Sequence, residues 1–424
     1  MKKFKISYLF ILLFILINLF TNTTAYAANA APALNSEGVC IINSDTNQVV
    51  YEKNADKKLY PASTTKVLTA LVVIENSKLD EKVTVGKNPP YADGTSIGLR
   101  EGDVYTVKEL LCGLLLMSGN DCAETLAEHV AGSSANFAEL MNKRAKKIGC
   151  TNSNFRNPSG LPDEQHYTTA RDLAMIMNEA IKNPTFCEID KVKILQCTPS
   201  VLDNYVINLA NHNYILLPNS KYYYEYAQCA KKGYTSVANY TNVVSASKDN
   251  MNLVGAFLNG TDLSAVYSKD PIDIFNFAFD NYTNVELYKK DHKVGSYKLD
   301  SDTSIPLLLS KDVIYCADKS MADNLEVKIK YDNPKNLQEK SFKKGDVLTK
   351  ATIYVNNNEY KTVDVVSGCD RTYNPPAKVV KNFFQDHEVI FSITFLACFV
   401  SLFLIRVYIN KVKKKNNESQ YNKF

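Results

Sequence analysis

Apolar residues follow three rhythms along this chain. Near both ends they run unbroken: residues 6–20, and residues 389–405, a stretch of 17 without a charge. That length is the lower limit for a helix that spans a bilayer. Over residues 34–282 strand-like and helix-like runs take turns. Residues 39–43 and 48–52 read as two strands around the polar turn Ser44-Asp45-Thr46-Asn47. Residues 60–74 read as a helix start and then a run apolar on nearly every face, so this helix belongs in the interior. Helical patterns recur at 107–117, 121–129, 135–148 and 169–181, and a closing helix at 272–282. Asn157-Pro158-Ser159-Gly160-Leu161-Pro162-Asp163 reads as a structured loop, and residues 77–106 as polar and loop-rich. Strands return at 240–247 and 251–258. Strands at both ends of a helical middle predict one sheet with helices on its faces, an α/β domain. Over 284–366 the rhythm shortens to strand and turn, which predicts a small all-β domain, most simply a sandwich. Residues 367–388 then link to the second apolar run.

The ends say where the chain works. Lys2, Lys3 and Lys5, the apolar run and Ala25-Tyr26-Ala27 form a secretory signal peptide over residues 1–27. Arg406, Lys411 and Lys413 to Lys415 follow the second run, so residues 406–424 are expected as a cytoplasmic basic tail. The two signals agree on one topology: a cell-membrane protein anchored by a transmembrane helix at 389–405, with its bulk on the outside. These ends also carry the net charge of +4; the rest is mildly acidic, at about −4, with no basic stripe. Nucleic acid is therefore not an expected partner. None of the ten cysteines forms a Cys-x-x-Cys pair and only five histidines are present, so neither a metal nor another cofactor is expected. Cys40, Cys112 and Cys122 lie in apolar segments and read as small buried side chains, and mostly free thiols are expected.

Candidate chemistry sits at the mouth of the central helix. Ser63 and Lys66, three residues apart, share one face. A lysine among apolar neighbours tends to lose its proton, because desolvation disfavours the charge. A neutral lysine beside a serine hydroxyl is a base beside a nucleophile.

Three pieces occur in order: Ser63-Thr64-Thr65-Lys66, Ser118-Gly119-Asn120 and Lys231-Lys232-Gly233. With Tyr60 to Leu71, the 157–162 loop, Tyr167-Thr168-Thr169-Ala170 and Gly233-Tyr234-Thr235, the chain resembles the low-molecular-weight penicillin-binding proteins, the serine-type D-alanyl-D-alanine carboxypeptidases. The resemblance covers essentially the whole chain after the signal peptide. It implies a β-lactamase/transpeptidase-like domain at 34–282, and as partners the D-Ala-D-Ala end of the peptidoglycan stem peptide and β-lactam antibiotics. It also implies roles. Ser63 would attack the carbonyl of the penultimate D-alanine, Lys66 would take its proton, and Ser118 would relay a proton to the leaving D-alanine. Asn120, Lys231, Lys232, Gly233 and Thr235 would bind substrate.

Two departures from the family pattern stand out. Lys232 replaces the threonine of Lys-Thr-Gly, and Ala265-Val266-Tyr267 lies where the family has an arginine. Both positions serve the substrate carboxylate in the family, so Lys232 is expected to supply part of the missing charge, as a point charge rather than a planar clamp. Two alternatives use the same residues. A serine β-lactamase would need a second base; Glu164 is the nearest acid, but Thr168 breaks the Glu-x-x-x-Asn pattern. A weakened homologue acting as a wall-binding scaffold is the other.

Overall fold

The computed structural model describes residues 30–198, 206–375, 381–383 and 385–421. The signal peptide expected over residues 1–27 lies outside them. Two compact units emerge; the first runs to Val285 and includes residues 314–324.

The first unit opens with β1 (Gly38–Asn43) and β2 (Val49–Lys53), then a 3₁₀ turn (Ala62–Thr65) that runs into α1 (Lys66–Asn76). The segment read as loop-rich contains a short pair, β3 (Lys82–Thr84) and β4 (Val104–Thr106). Helices α2 (Val107–Leu116), α3 (Asn120–Ala131), α4 (Ser134–Ile148), α5 (Ala170–Ala180) and α6 (Pro184–Asp190) follow. Next come β5 (Ile194–Cys197), β6 (Ile207–Ala210), and the long strands β7 (Ala227–Thr235), β8 (Asn239–Lys248) and β9 (Met251–Gly260). Helix α7 (Asp270–Asn281) closes the run after a π-helical turn at Ala265–Lys269. Helix α6, β5 and β6 are absent from the sequence reading, being too short for a periodic signal.

The sheet order is β2-β1-β9-β8-β7, antiparallel throughout, which leaves β7 at an edge. All of β1 is buried, as a strand covered on both faces must be. Side-chain alternation divides its residues between two cores. Cys40 and Ile42 join Val254, Ala256 and Leu258 under α1, α2 and α3. Val39 and Ile41 join Leu253 and Phe257 against Ile274, Phe275 and Ala278 of α7. Helix α1 is buried on every face from Lys66 to Val73, as its unbroken apolar run requires. Thr106 and Glu109 build a capping box at the start of α2. All ten cysteines are free thiols. Burial pushes the Cys40 and Cys112 thiols up to about 12, which leaves them inert.

Across Val285, β10 (Tyr282–Tyr288) leads to β11 (Lys293–Lys298) and β12 (Ser304–Leu309). Strand β13 (Val313–Asp318) is missing from the sequence reading; its residues from Ile314 belong to the first unit. Strands β14 (Val327–Tyr331), β15 (Val347–Val355) and β16 (Asn358–Ser367) complete one antiparallel sheet, ordered β11-β12-β16-β15-β14. Its core is Leu307, Leu309, Val313, Ala351, Ile353, Val363 and Val365. The expected sandwich thus resolves into this five-stranded sheet, with a separate β10–β13 pair. Last comes α8 (Glu388–Tyr421), whose stretch Glu388–Lys415 is long and apolar enough to cross a membrane.

Candidate active site

Ser63 lies within the 3₁₀ turn, not at a helix cap. A 3₁₀ turn repeats every three residues, so positions i and i+3 eclipse. The turn therefore sets Ser63 directly under Lys66, whose Nζ lies 2.9 Å from Ser63 Oγ. Lys66 is wholly buried and donates to Asn120 Oδ1 at 2.6 Å and to the Ser159 carbonyl at 2.7 Å. Burial, and then the charge of Lys231, push its pKa well below the ordinary lysine value. A neutral amine has two N–H bonds and one lone pair. In the neutral form the two carbonyl oxygens would take the N–H bonds and leave the lone pair for Ser63.

Each partner is held in turn. Asn120, the first residue of α3, donates from Nδ2 to Asp93 O at 2.5 Å. The next residue, Asp121, accepts from the backbone N–H groups of Ile97, Gly98 and Leu99, which pins the loop that carries Asp93. Asn157 Oδ1 accepts from the N–H groups of Ser159, Gly160 and Leu161, and its Nδ2 donates to Leu161 O. This cradle explains why Asn-Pro-Ser-Gly stands here: it fixes the carbonyl of Ser159 that orients Lys66. Thr65 Oγ1 meets His166 Nε2 at 3.0 Å, and the Arg156 N–H donates to His166 Nδ1. The ring is therefore neutral with its hydrogen on Nε2, and desolvation lowers its pKa to about 4.

Strand β7 forms the other wall. A Cβ on Gly233 would lie 2.7 Å from the Ser63 nitrogen, so only glycine lets this strand run beside the Ser63 N–H. Thr241 Oγ1, on the neighbouring strand, donates to Pro61 O at 2.9 Å and ties the turn to the sheet. Lys231 is fully buried, donates to Lys232 O at 3.2 Å, and repels the charge on Lys66.

The sequence-read residues do not all converge. Ser63, Lys66, Asn120 and Gly233 meet by direct contact, with Lys231 joined to them by charge. Ser118 occupies the α2–α3 junction at φ +67°, half-buried. Such left-handed non-glycine backbone is uncommon and clusters at functional sites. Thr235 Oγ1 accepts the Ala238 N–H at 3.1 Å and serves the β7–β8 turn. Lys232 alternates onto the sheet face opposite Lys231. Its Nζ stands 4.3 Å from the Tyr214 ring centre and 5.3 Å from that of Tyr267, a cation–π cage. Tyr267 in turn donates from its hydroxyl to Gly233 O at 2.9 Å. Sequence reading missed Asn157's cradle, His166, Tyr214 and Tyr267 as parts of the site. For Tyr267 the signal was its place where an arginine was expected; no pattern marked Tyr214.

The chain is similar to several known proteins. Residues 24–262 match the D-alanyl-D-alanine carboxypeptidase family, and residues 282–372 match the C-terminal domain of penicillin-binding protein 5. D-alanyl-D-alanine carboxypeptidase DacF of Bacillus subtilis is 31% identical over 274 residues, 63% of this chain and 68% of that protein. DacA of Haemophilus influenzae is 28% identical over 347 residues, covering 79% of this chain and 84% of its own length. The crystal structure of penicillin-binding protein 5 from H. influenzae superposes with a TM-score of 0.68 at 24% identity, over 80% of this chain and 98% of that one. The D-alanyl-D-alanine carboxypeptidase structure from Mycobacterium tuberculosis gives 0.56 at 29% identity, over 60% and 95%.

Proposed function

This chain belongs to the D-alanyl-D-alanine carboxypeptidase family, and from that premise we propose that it removes the terminal D-alanine of peptidoglycan stem peptides through an acyl-enzyme on Ser63. The family acts on peptidoglycan peptides and binds β-lactams. The observation that carries the assignment to Ser63 is the approach of the buried Lys66 amine, its pKa pushed well down by burial, to its hydroxyl.

Ser63 Oγ attacks the carbonyl carbon of the penultimate D-alanine, and its proton passes to Lys66 Nζ. The Ser63 N–H and an N–H from β7 receive the oxyanion; one such donor contributes a factor on the order of 10²–10³ in rate. Collapse breaks the C–N bond. The leaving D-alanine amine takes the proton held on Lys66, relayed by Ser118. Water then hydrolyses the ester and restores Ser63. Lys231 supplies positive charge for the terminal carboxylate, Lys232 a second and more distant charge. Thr235 lines the outer end of the same strand. The α8 helix anchors the chain, with the catalytic unit on the wall side of the cell membrane.

The test uses the full chain in detergent micelles. It should release D-alanine from a Lys-D-Ala-D-Ala peptide and bind fluorescent penicillin covalently, and Ser63→Ala should abolish both. Sustained turnover of a chromogenic cephalosporin without D-alanine release would make it a β-lactamase instead. Absence of both activities would leave a scaffold.

A further inference from the structure

The mechanism above makes no use of Asp190. It is the last residue of α6, wholly buried, and its Oδ2 accepts the Ala230 N–H at 2.8 Å on the outer edge of β7. Its Oδ1 is also buried and has no hydrogen-bond partner among the described residues. A carboxylate oxygen in that position is costly unless a charge compensates it. The adjoining residue of β7 is Lys231, equally buried, whose Nζ makes one hydrogen bond among the described residues, to Lys232 O.

We propose that Asp190 is a positioning residue, the buried counter-charge that keeps the proton on Lys231 and so leaves Lys66 as the free base. This rests on the proposed function above and deepens it. Two buried amines, Lys231 and Lys66, repel each other, so the pair holds one proton comfortably. Catalysis needs that proton on Lys231, where an acidic chain end binds, and not on Lys66. The groups facing Lys231 are Asp190 from α6, Lys232 on its own strand, Lys66 from α1 and His212 from the segment before β7. Only Asp190 among them is an acid. Lys66 feels the carboxyl groups of Asp121 and Glu124 from α3, which favour the wrong placement; Asp190 opposes it by favouring the charge on Lys231. Burial pushes the Asp190 carboxyl up to about 7, the Ala230 N–H and Lys231 favour its charge, and Cys187 and Lys191 flank it.

The experiment is the pH dependence of the rate constant for fluorescent-penicillin acylation, in full-length wild type, Asp190→Asn and Asp190→Glu. Asparagine still accepts the Ala230 N–H but carries no charge. In Asp190→Asn the alkaline limb should move to lower pH by on the order of one unit. The plateau should fall, the acid limb should stay, and end-point labelling at Ser63 should remain complete. Asp190→Glu should keep the wild-type alkaline limb. An unmoved limb in Asp190→Asn, or an equal shift in both variants, overturns the proposal. So does failure of both variants to fold, because Asp190 would then serve the packing of α6 against β7. Loss of labelling in wild type itself would sink the proposed function, not this inference alone.

Discussion

Gly160 and Ala62 touch through backbone alone: a Cβ on Gly160 would overlap the Ala62 carbonyl. Gly160 sits at φ +85° and Ala62, one residue before Ser63, at φ +50°. The loop that orients Lys66 and the turn that carries Ser63 are thus in direct contact, with no side chain able to yield. Gly160→Ala should destabilise the first unit by at least roughly 1–3 kcal/mol, from the left-handed backbone alone. It should also slow acylation, because relief of the overlap must move Ser63 or Ser159. Thermal melting and the acylation rate check both; a variant with wild-type values in each would refute the contact.

Asn157 gathers three backbone N–H groups of that same loop on one oxygen. Asn157→Ala leaves them without their acceptor, at a cost of about 1–3 kcal/mol for each buried group that water cannot reach. The expected signature is a lower kcat with a nearly unchanged KM, because Ser159 O holds Lys66 rather than the substrate.

His166 makes stability depend on pH. Burial lowers its pKa to about 4, against 6.5 for an ordinary histidine. Between these values the unfolded chain binds a proton that the folded chain refuses. The contribution is fully present above pH 6.5 and is lost as pH falls through 4, amounting to about 3 kcal/mol. Urea unfolding midpoints at a series of pH values should fall steeply over this window. In His166→Gln the slope across it should flatten.

Lys232 stands where the family has threonine and is caged by Tyr214 and Tyr267. Lys232→Thr should raise KM for a Lys-D-Ala-D-Ala peptide several-fold while kcat stays within a factor of about two, since only ground-state attraction to the carboxylate is lost. Unchanged steady-state constants would confine Lys232 to packing against the two rings.

What was legible in the sequence depended on how local the cause was. The Ser63–Lys66 pair could be read from spacing, because i,i+3 eclipsing is a property of one turn. The interior α1 could be read from an apolar run too long for a surface helix, and the terminal apolar helix from length and charge. The strand β13 was not legible, since its residues from Ile314 pack with a unit that the chain had already left at Val285. The neighbours Lys231 and Lys232 looked alike as a basic pair. Strand alternation sends one to the Lys66 side and the other to a tyrosine cage.

By itself, then, the sequence determined that Ser63 and Lys66 share one turn and that α1 lies in the interior, because periodicity and spacing act within a few residues. The tertiary structure alone decided which way the Lys66 pKa moves. Whether Lys66 is neutral depends on burial under α2 and α3, and on Lys231 brought up from 165 positions away along the chain. Desolvation and charge repulsion act through space, and no local pattern encodes which distant residues will supply them.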